Sequence, residues 1–372
     1  MPDRPPSTVV FVCLTGGLGG STRSVATVLS KLDGRARRVL AGPERGRFSR
    51  LVADRGLADE RIDFPSKGAP RLRAVARVRA AWRLARWTRA HRADVAAIHA
   101  NGPEEINVAA PAALWAGVPL VVWAHAWTVP PSARRLGPMW HRVLARHPVR
   151  YAAVSPLAAR MIAKAGYTDV AAIEIVPNPI DPDDVRVDRT PADATGAVRV
   201  GFLGAGDRRK GADLLPAVMT ALADLPVEWV LFTPRTEELA PVERLLESET
   251  ALSVRWPGLV SDVRDAYAEL DVVFCPSRLE SFCRVVAEAM LNGIAVVASD
   301  IEPIRDLVGG DAAGRLFASG DAEDAARALR TVVADAELRR RLGAAGRERA
   351  AAFEPSAVVE RLVGLYGVAV SR

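Results

Sequence analysis

Short apolar runs closed by glycine or proline alternate with longer stretches of helical period, and the alternation runs through the chain twice. "STVVFVCL" (7–14), "ADVAAIHA" (93–100), "VPLVVWAHA" (118–126) and "RYAAVS" (150–155) read as buried strands with helices between them. After residue 185 the pattern restarts. "AVRVGFLGAG" (197–206), "VEWVLFT" (227–233), "DVVFCPS" (271–277) and "AVVAS" (295–299) are strands; "ADLLPAVMTALADL" (212–225), "VRDAYAEL" (263–270) and "RVVAEAMLNG" (284–293) are helices. Strands that alternate with helices form parallel sheets covered on both faces, so the expected class is α/β with two doubly wound, Rossmann-like domains. Such sheets bind ligands at the carboxyl ends of their strands.

The polar, proline-bearing stretch 186–197 lacks periodicity and is taken as the junction. The expected domains are 1–185 and 186–354, facing each other across a cleft, with residues 355–372 packing back on the first. The 372 residues suffice for two cores, and 49% apolar with 25% charged residues describes a globular chain. No apolar run reaches the ~20 residues that span a bilayer, and the start reads as a strand rather than a leader, so a cytoplasmic protein is expected. Cys13, Cys275 and Cys283 stand at unrelated spacings and suggest neither a disulfide frame nor a zinc site. No metal-ligand cluster is visible, and no cofactor is expected.

Charge is uneven. Residues 1–185 carry 27 lysines and arginines against 15 acids; residues 186–372 carry 23 against 29. A basic first half suits an anionic partner: a phosphorylated acceptor, a membrane surface or nucleic acid. The most basic stretch, 71–92, holds eight arginines and two tryptophans. Its arginines fall around most of the helix and leave no clean apolar face, so it reads as a solvated helix over the sheet.

Three stretches carry chemistry. "TGGLGGS" (15–21), with Gly17 and Gly19, turns from strand to helix. It could let an anion approach the backbone, or be only a tight turn. "GAGDRRKGADLL" (204–215) puts Arg208, Arg209 and Lys210 in a loop at a strand's carboxyl end, which suits a diphosphate. "RLESFCRVVAEAM" (278–290) holds Glu280 in a loop and Glu288 in a helix. Ser281 is placed to cap that helix near Phe282, with the amides of Phe282, Cys283 and Arg284 open to a phosphate. A carboxylate grips vicinal hydroxyls with two oxygens, so the pair suits a sugar and a ribose. Equally, Glu280 could be a surface residue and Glu288 an internal ion-pair partner.

In family order the chain resembles GT-B glycosyltransferases of the large retaining family 4. "PSRLESFCRVVAEAMLNGIAVVAS" (276–299) follows that family's E-x7-E segment. The other matches are the glycine loop, "VWAHAW" with His125, "AAVSPLAARMI" with Ser155, "IVPNPID" with Asn178 and Asp181, "RKG" (209–211) and "GRLFASGDAEDAARAL" (314–329). Departures are Cys283 for a glycine, Ala295 for a proline, Ala205 for an arginine and Ala126 after His125.

The resemblance implies metal-independent, retaining transfer from a nucleoside diphosphate sugar, UDP by family habit, to a hydroxyl acceptor. Lys210 with Arg208 or Arg209 would hold the diphosphate, Glu288 the ribose and Glu280 the sugar. Ser281, Phe282, Cys283 and Arg284 would line the donor, and Gly17 to Gly19 would close over its phosphate and the acceptor. His125 would lie by the reacting sugar, with His99 the second choice among five histidines. Loops around 62–72 and 127–140, the latter basic and irregular, would shape the acceptor site. Peripheral contact with an anionic membrane at the inner face fits the charge; nucleic acid is not expected. The rival readings are a GT-B epimerase or hydrolase, and a non-catalytic basic nucleic-acid-binding protein.

Overall fold

The computed structural model describes residues 7–64, 70–126, 129, 131–187, 196–249, 252–260 and 262–368. Most of the junction stretch 186–197, and parts of the loops around 62–72 and 127–140, lie outside the described residues. The chain forms two compact units. One takes residues up to Pro179 and again from Pro355; the other is Ile180–Glu354.

The first unit is a seven-stranded sheet: β1 (Thr8–Val12), β2 (Arg37–Pro43), β3 (Glu60–Phe64), β4 (Val95–Ala100), β5 (Leu120–Ala124), β6 (Val149–Ala153) and β7 (Ile173–Ile175). Their order is β3-β2-β1-β4-β5-β6-β7, with every pair parallel. β1 and β5 are buried along their whole length because helices cover both faces. The helix Pro355–Tyr366 packs against the helix Gly20–Lys31. Arg150 Nη1 donates to the carbonyls of Gly364 and Leu365, at 2.6 and 2.9 Å.

The second unit is a six-stranded parallel sheet: β8 (Val198–Leu203), β9 (Val227–Phe232), β10 (Ser253–Arg255), β11 (Val272–Cys275), β12 (Ala295–Ser299) and β13 (Arg315–Phe317). The order is β10-β9-β8-β11-β12-β13. Its core centres on Trp229, Phe274 and Phe317, whose rings touch in sequence. Burying each such ring contributes on the order of 2–3 kcal/mol. Residues 180–187 belong to this unit: Asn292 Nδ2 donates to Val185 O at 2.9 Å, and Val187 N donates to Asn292 Oδ1 at 3.0 Å.

Both sheets reverse direction of growth at one place, between β1 and β4 in the first and between β8 and β11 in the second. A loop leaving each strand of such a pair opens to the same side, which makes the reversal a natural ligand site.

One expected irregular loop is regular: Pro131–Leu144 is a helix with Pro138 inside it. Trp140 Nε1, donating to Asn107 Oδ1 at 2.8 Å, and His141 Nδ1, 3.0 Å from Tyr167 O, hold it in place.

Candidate functional site

At the β8/β11 reversal the loop after β8 is a single tight turn, Arg208–Lys210. Asp207 caps it, its Oδ1 accepting from Lys210 N at 2.9 Å. Gly211 closes the turn at φ 75°, and a Cβ there would lie 2.0 Å from Pro276 O. Only glycine lets the loop come this close to the chain after β11. Arg278 then stitches the loops together. Its N donates to Arg209 O, its Nη1 to Arg208 O (both 2.8 Å), and its guanidinium forms a two-point pair with Asp213.

The seam delivers Lys210 to Glu280: Nζ lies 2.5 Å from Oε1. Glu280 is 9% exposed, so it is not a surface residue. Burial alone would lower the Lys210 pKa, but the charge and hydrogen bond of Glu280, with the neighbouring Cys283 and Cys275, together outweigh it and push it up to about 12. The ammonium is therefore charged at any physiological pH.

Glu288 is 5% exposed. Tyr267 Oη donates to its Oε2 at 2.8 Å, and Arg284 Nε to its Oε1 at 3.2 Å. Burial, then the Glu288 carboxylate, holds the Tyr267 phenol well above its ordinary range, so it stays a donor. Glu288 is thus an internal ion-pair partner with both oxygens oriented.

The helix carrying Glu288 runs Arg284–Leu291, two residues later than expected. Ser281 does not cap it. The cap position is Cys283, at φ 70° and ψ 71°, the one described non-glycine residue with positive φ. Phe282 is buried edge-on against Phe353, at 5.4 Å. The helix proper therefore begins only after this left-handed residue. The cysteines that looked unrelated include a close pair: Cys275 and Cys283 are buried thiols with sulfurs 3.5 Å apart. Arg209 pairs with Asp207 at 3.4 Å, while Arg208 is exposed. Of the three cations only Lys210 meets a glutamate of the segment 278–290.

In the first unit the glycine loop follows β1. Thr22 organises it, accepting from Gly19 N at 2.9 Å and donating to Gly17 O at 3.0 Å. A Cβ on Gly19 would meet nothing, and one on Gly17 only Thr15 Oγ1 at 3.5 Å. Packing instead demands glycine at Gly16, where a Cβ would lie 2.5 Å from Arg45 O.

His125 follows β5. Its Nδ1 lies 2.9 Å from Asn178 Oδ1, which also accepts from Ser24 Oγ at 2.8 Å. An oxygen that accepts both bonds requires the proton on Nδ1 and leaves Nε2 as the acceptor of the neutral ring. His99 is core: it packs among Phe11, Trp123 and Tyr366, with Nδ1 2.8 Å from Tyr366 Oη. Burial, then His125, lowers its pKa to about 3, which keeps it neutral.

Sequence reasoning missed Tyr267, Arg278 and Asp213, which hold the site's charged groups in place. It also missed Glu105, a buried carboxyl beneath the glycine loop that accepts from Leu14 N at 3.2 Å. Burial pushes its pKa up to about 7. The only signal was an acidic pair just after a strand.

Residues 16–184 match the family model Glycosyltransferase Family 4, and residues 189–349 match Glycosyl transferases group 1. A sulfoquinovosyl transferase of Arabidopsis thaliana is 32% identical over 170 residues, covering 44% of this chain and 32% of that protein. A phosphatidyl-myo-inositol mannosyltransferase of Mycolicibacterium smegmatis is 35% identical over 225 residues, 58% of this chain and 56% of its own length. The match thus spans about a third of one relative and just over half of the other. A crystal structure of Anabaena HepE in complex with UDP and glucose superposes with a TM-score of 0.77 at 20% identity, covering 97% of this chain and 99% of that one. That likeness is one of fold: two Rossmann-like domains of the GT-B type.

Proposed function

The chain belongs to glycosyltransferase family 4, and from that premise we propose that it moves a sugar from a nucleoside diphosphate sugar to a hydroxyl acceptor. The observation that carries this is the buried Lys210–Glu280 pair at the reversal of the second sheet. A cation and a carboxylate fixed side by side suit the two halves of such a donor: Lys210 the diphosphate, Glu280 the sugar hydroxyls. Glu288, oriented by Tyr267 and Arg284, suits the ribose diol.

As the bond from sugar to diphosphate breaks, negative charge grows on the leaving oxygens. Lys210 is already charged and held in place beside Glu280. Such a preorganised charge stabilises the transition state without reorganising. It supplies what a metal ion would supply in other transferases, so the proposed transfer is metal-independent and needs no cofactor. His125 is assigned to the reacting sugar, with Nε2 as its acceptor and Asn178 fixing the tautomer. Glu280 is paired with Lys210 and so is a poor covalent nucleophile. This favours retention through attack on the face the diphosphate leaves. UDP is the proposed carrier. The charge surplus of the first half extends the reading to peripheral contact with an anionic membrane.

The test is turnover. The protein is incubated with UDP-sugars and a panel of hydroxylated acceptors, with and without chelator, and the product's anomeric configuration is read by NMR. Retained configuration and chelator-insensitive, acceptor-dependent UDP release are expected. Inversion, or donor hydrolysis with no glycoside formed, would contradict the proposal.

A further inference from the structure

The helix Pro70–Ala90 packs on one side and is solvated on the other, as a helix over the sheet should be, but its solvated side carries apolar residues. Ala80, Leu84 and Thr88, at i, i+4 and i+8, are buried on one side. On the opposite side Val75, Val78 and Trp82 are 48%, 69% and 58% exposed. Spacings of three and four residues put these three on one outward stripe. Arg79 and Arg86 flank it, and the Arg86 guanidinium lies over the Trp82 ring at 4.6 Å. Arg89 Nη1 donates to Trp115 O at 3.1 Å, which brings a second tryptophan, 51% exposed, to the same surface. The helix holds seven arginines and no acid.

We propose that this face docks on an anionic membrane, with Trp82 and the two valines entering the headgroup boundary and the arginines meeting lipid phosphates. The chemistry selects that occupant. Tryptophan favours the membrane interface, where its ring is buried and its N–H stays wet. Arginines beside it match anionic headgroups. A nucleic acid would satisfy the arginines but leave Val75 and Val78 in water. The inference names the surface for the membrane contact proposed above and rests on that reading.

The test is flotation of the full chain with phosphatidylcholine vesicles, with and without phosphatidylglycerol, with donor titration run on every sample. Wild type floats with the anionic vesicles and not with the neutral ones. Arg79→Ala with Arg86→Ala weakens flotation about twenty-five-fold, from a factor of five per arginine. Val78→Ala with Trp82→Ala also weakens it. Both doubles bind donor as wild type does, which shows that they fold. Equal flotation with neutral vesicles, unchanged flotation of both doubles, or binding to single-stranded RNA without flotation would overturn the docking face. Absent donor binding by wild type strikes the transferase reading instead, so the two failures are distinguishable.

Discussion

Lys210 Nζ and Glu280 Oε1 lie 2.5 Å apart although 70 residues separate them in sequence, because each leaves one of the two strands at which the second sheet reverses. Their side chains are only 16% and 11% exposed, so each charge depends on the other. Removing one partner strands the other, at about 3–5 kcal/mol. Lys210→Met and Glu280→Gln are each expected to lower stability in urea unfolding, and the double variant to lose less than the sum. A strictly additive double would mean that the two groups do not depend on each other.

Tyr267→Phe removes a hydrogen-bond donor to Glu288 while keeping the ring that packs in the core. A loss of about 1–2 kcal/mol in stability is expected. Donor affinity should fall about tenfold, since Glu288 then lacks one of the bonds that aim it. Calorimetry reads the affinity and thermal unfolding the stability. Unchanged affinity in a folded protein would take the ribose role from Glu288.

Cys283 holds a backbone conformation that suits glycine. Cys283→Gly should therefore raise the melting temperature, by relief of about 1 kcal/mol. Cys283→Ala keeps the strain and should not. Cys283→Val should be the least stable, since β-branching is worst tolerated at positive φ. A melting temperature that falls in the glycine variant would show that the Cys275 contact outweighs the strain.

Glu105 gives a pH signature. Its folded pKa, about 7, lies above the ordinary 4.5. The folded state therefore holds the proton more tightly, and this contribution is full below pH 4.5 and lost as pH rises to 7. Glu105→Gln should match wild type near pH 4.5 and exceed it above pH 7, by about 3 kcal/mol at most. His99 acts in the opposite sense, losing stability as pH falls from 6.5 toward 3, so only the comparison with Glu105→Gln isolates the effect. Identical pH profiles for the two proteins would contradict a buried, raised carboxyl.

What the sequence made legible follows from period and length. β1, β4, β5, β8, β9, β11 and β12 are central and read as predominantly apolar runs, interrupted only singly by His99, Arg199 and Glu228. β10 and β13 are three-residue edge strands, β7 is equally short, and β2 interleaves arginine, glycine and proline, so none shows a period. In the site, Lys210 and Glu280 are legible because each stands in a loop at the carboxyl end of an apolar strand, and Glu288 because a charge interrupts an apolar helix. Tyr267 and Arg278 are not, since a tyrosine on an amphipathic helix and an arginine in a loop look like any others until the loops meet. The exposed stripe on Pro70–Ala90 was hidden because arginines occupy the same face as Val78 and Trp82. Only burial of the opposite side tells which face turns outward.

The most direct measurement is calorimetric titration of UDP, GDP and their sugar conjugates into the wild type, Lys210→Ala and Glu288→Ala. One nucleotide diphosphate should bind the wild type at about micromolar Kd and each folded variant at least tenfold more weakly, a difference of about 1.4 kcal/mol or more. No binding of any of them to folded wild type, or equal binding by all three proteins, would contradict a donor site built on Lys210, Glu280 and Glu288.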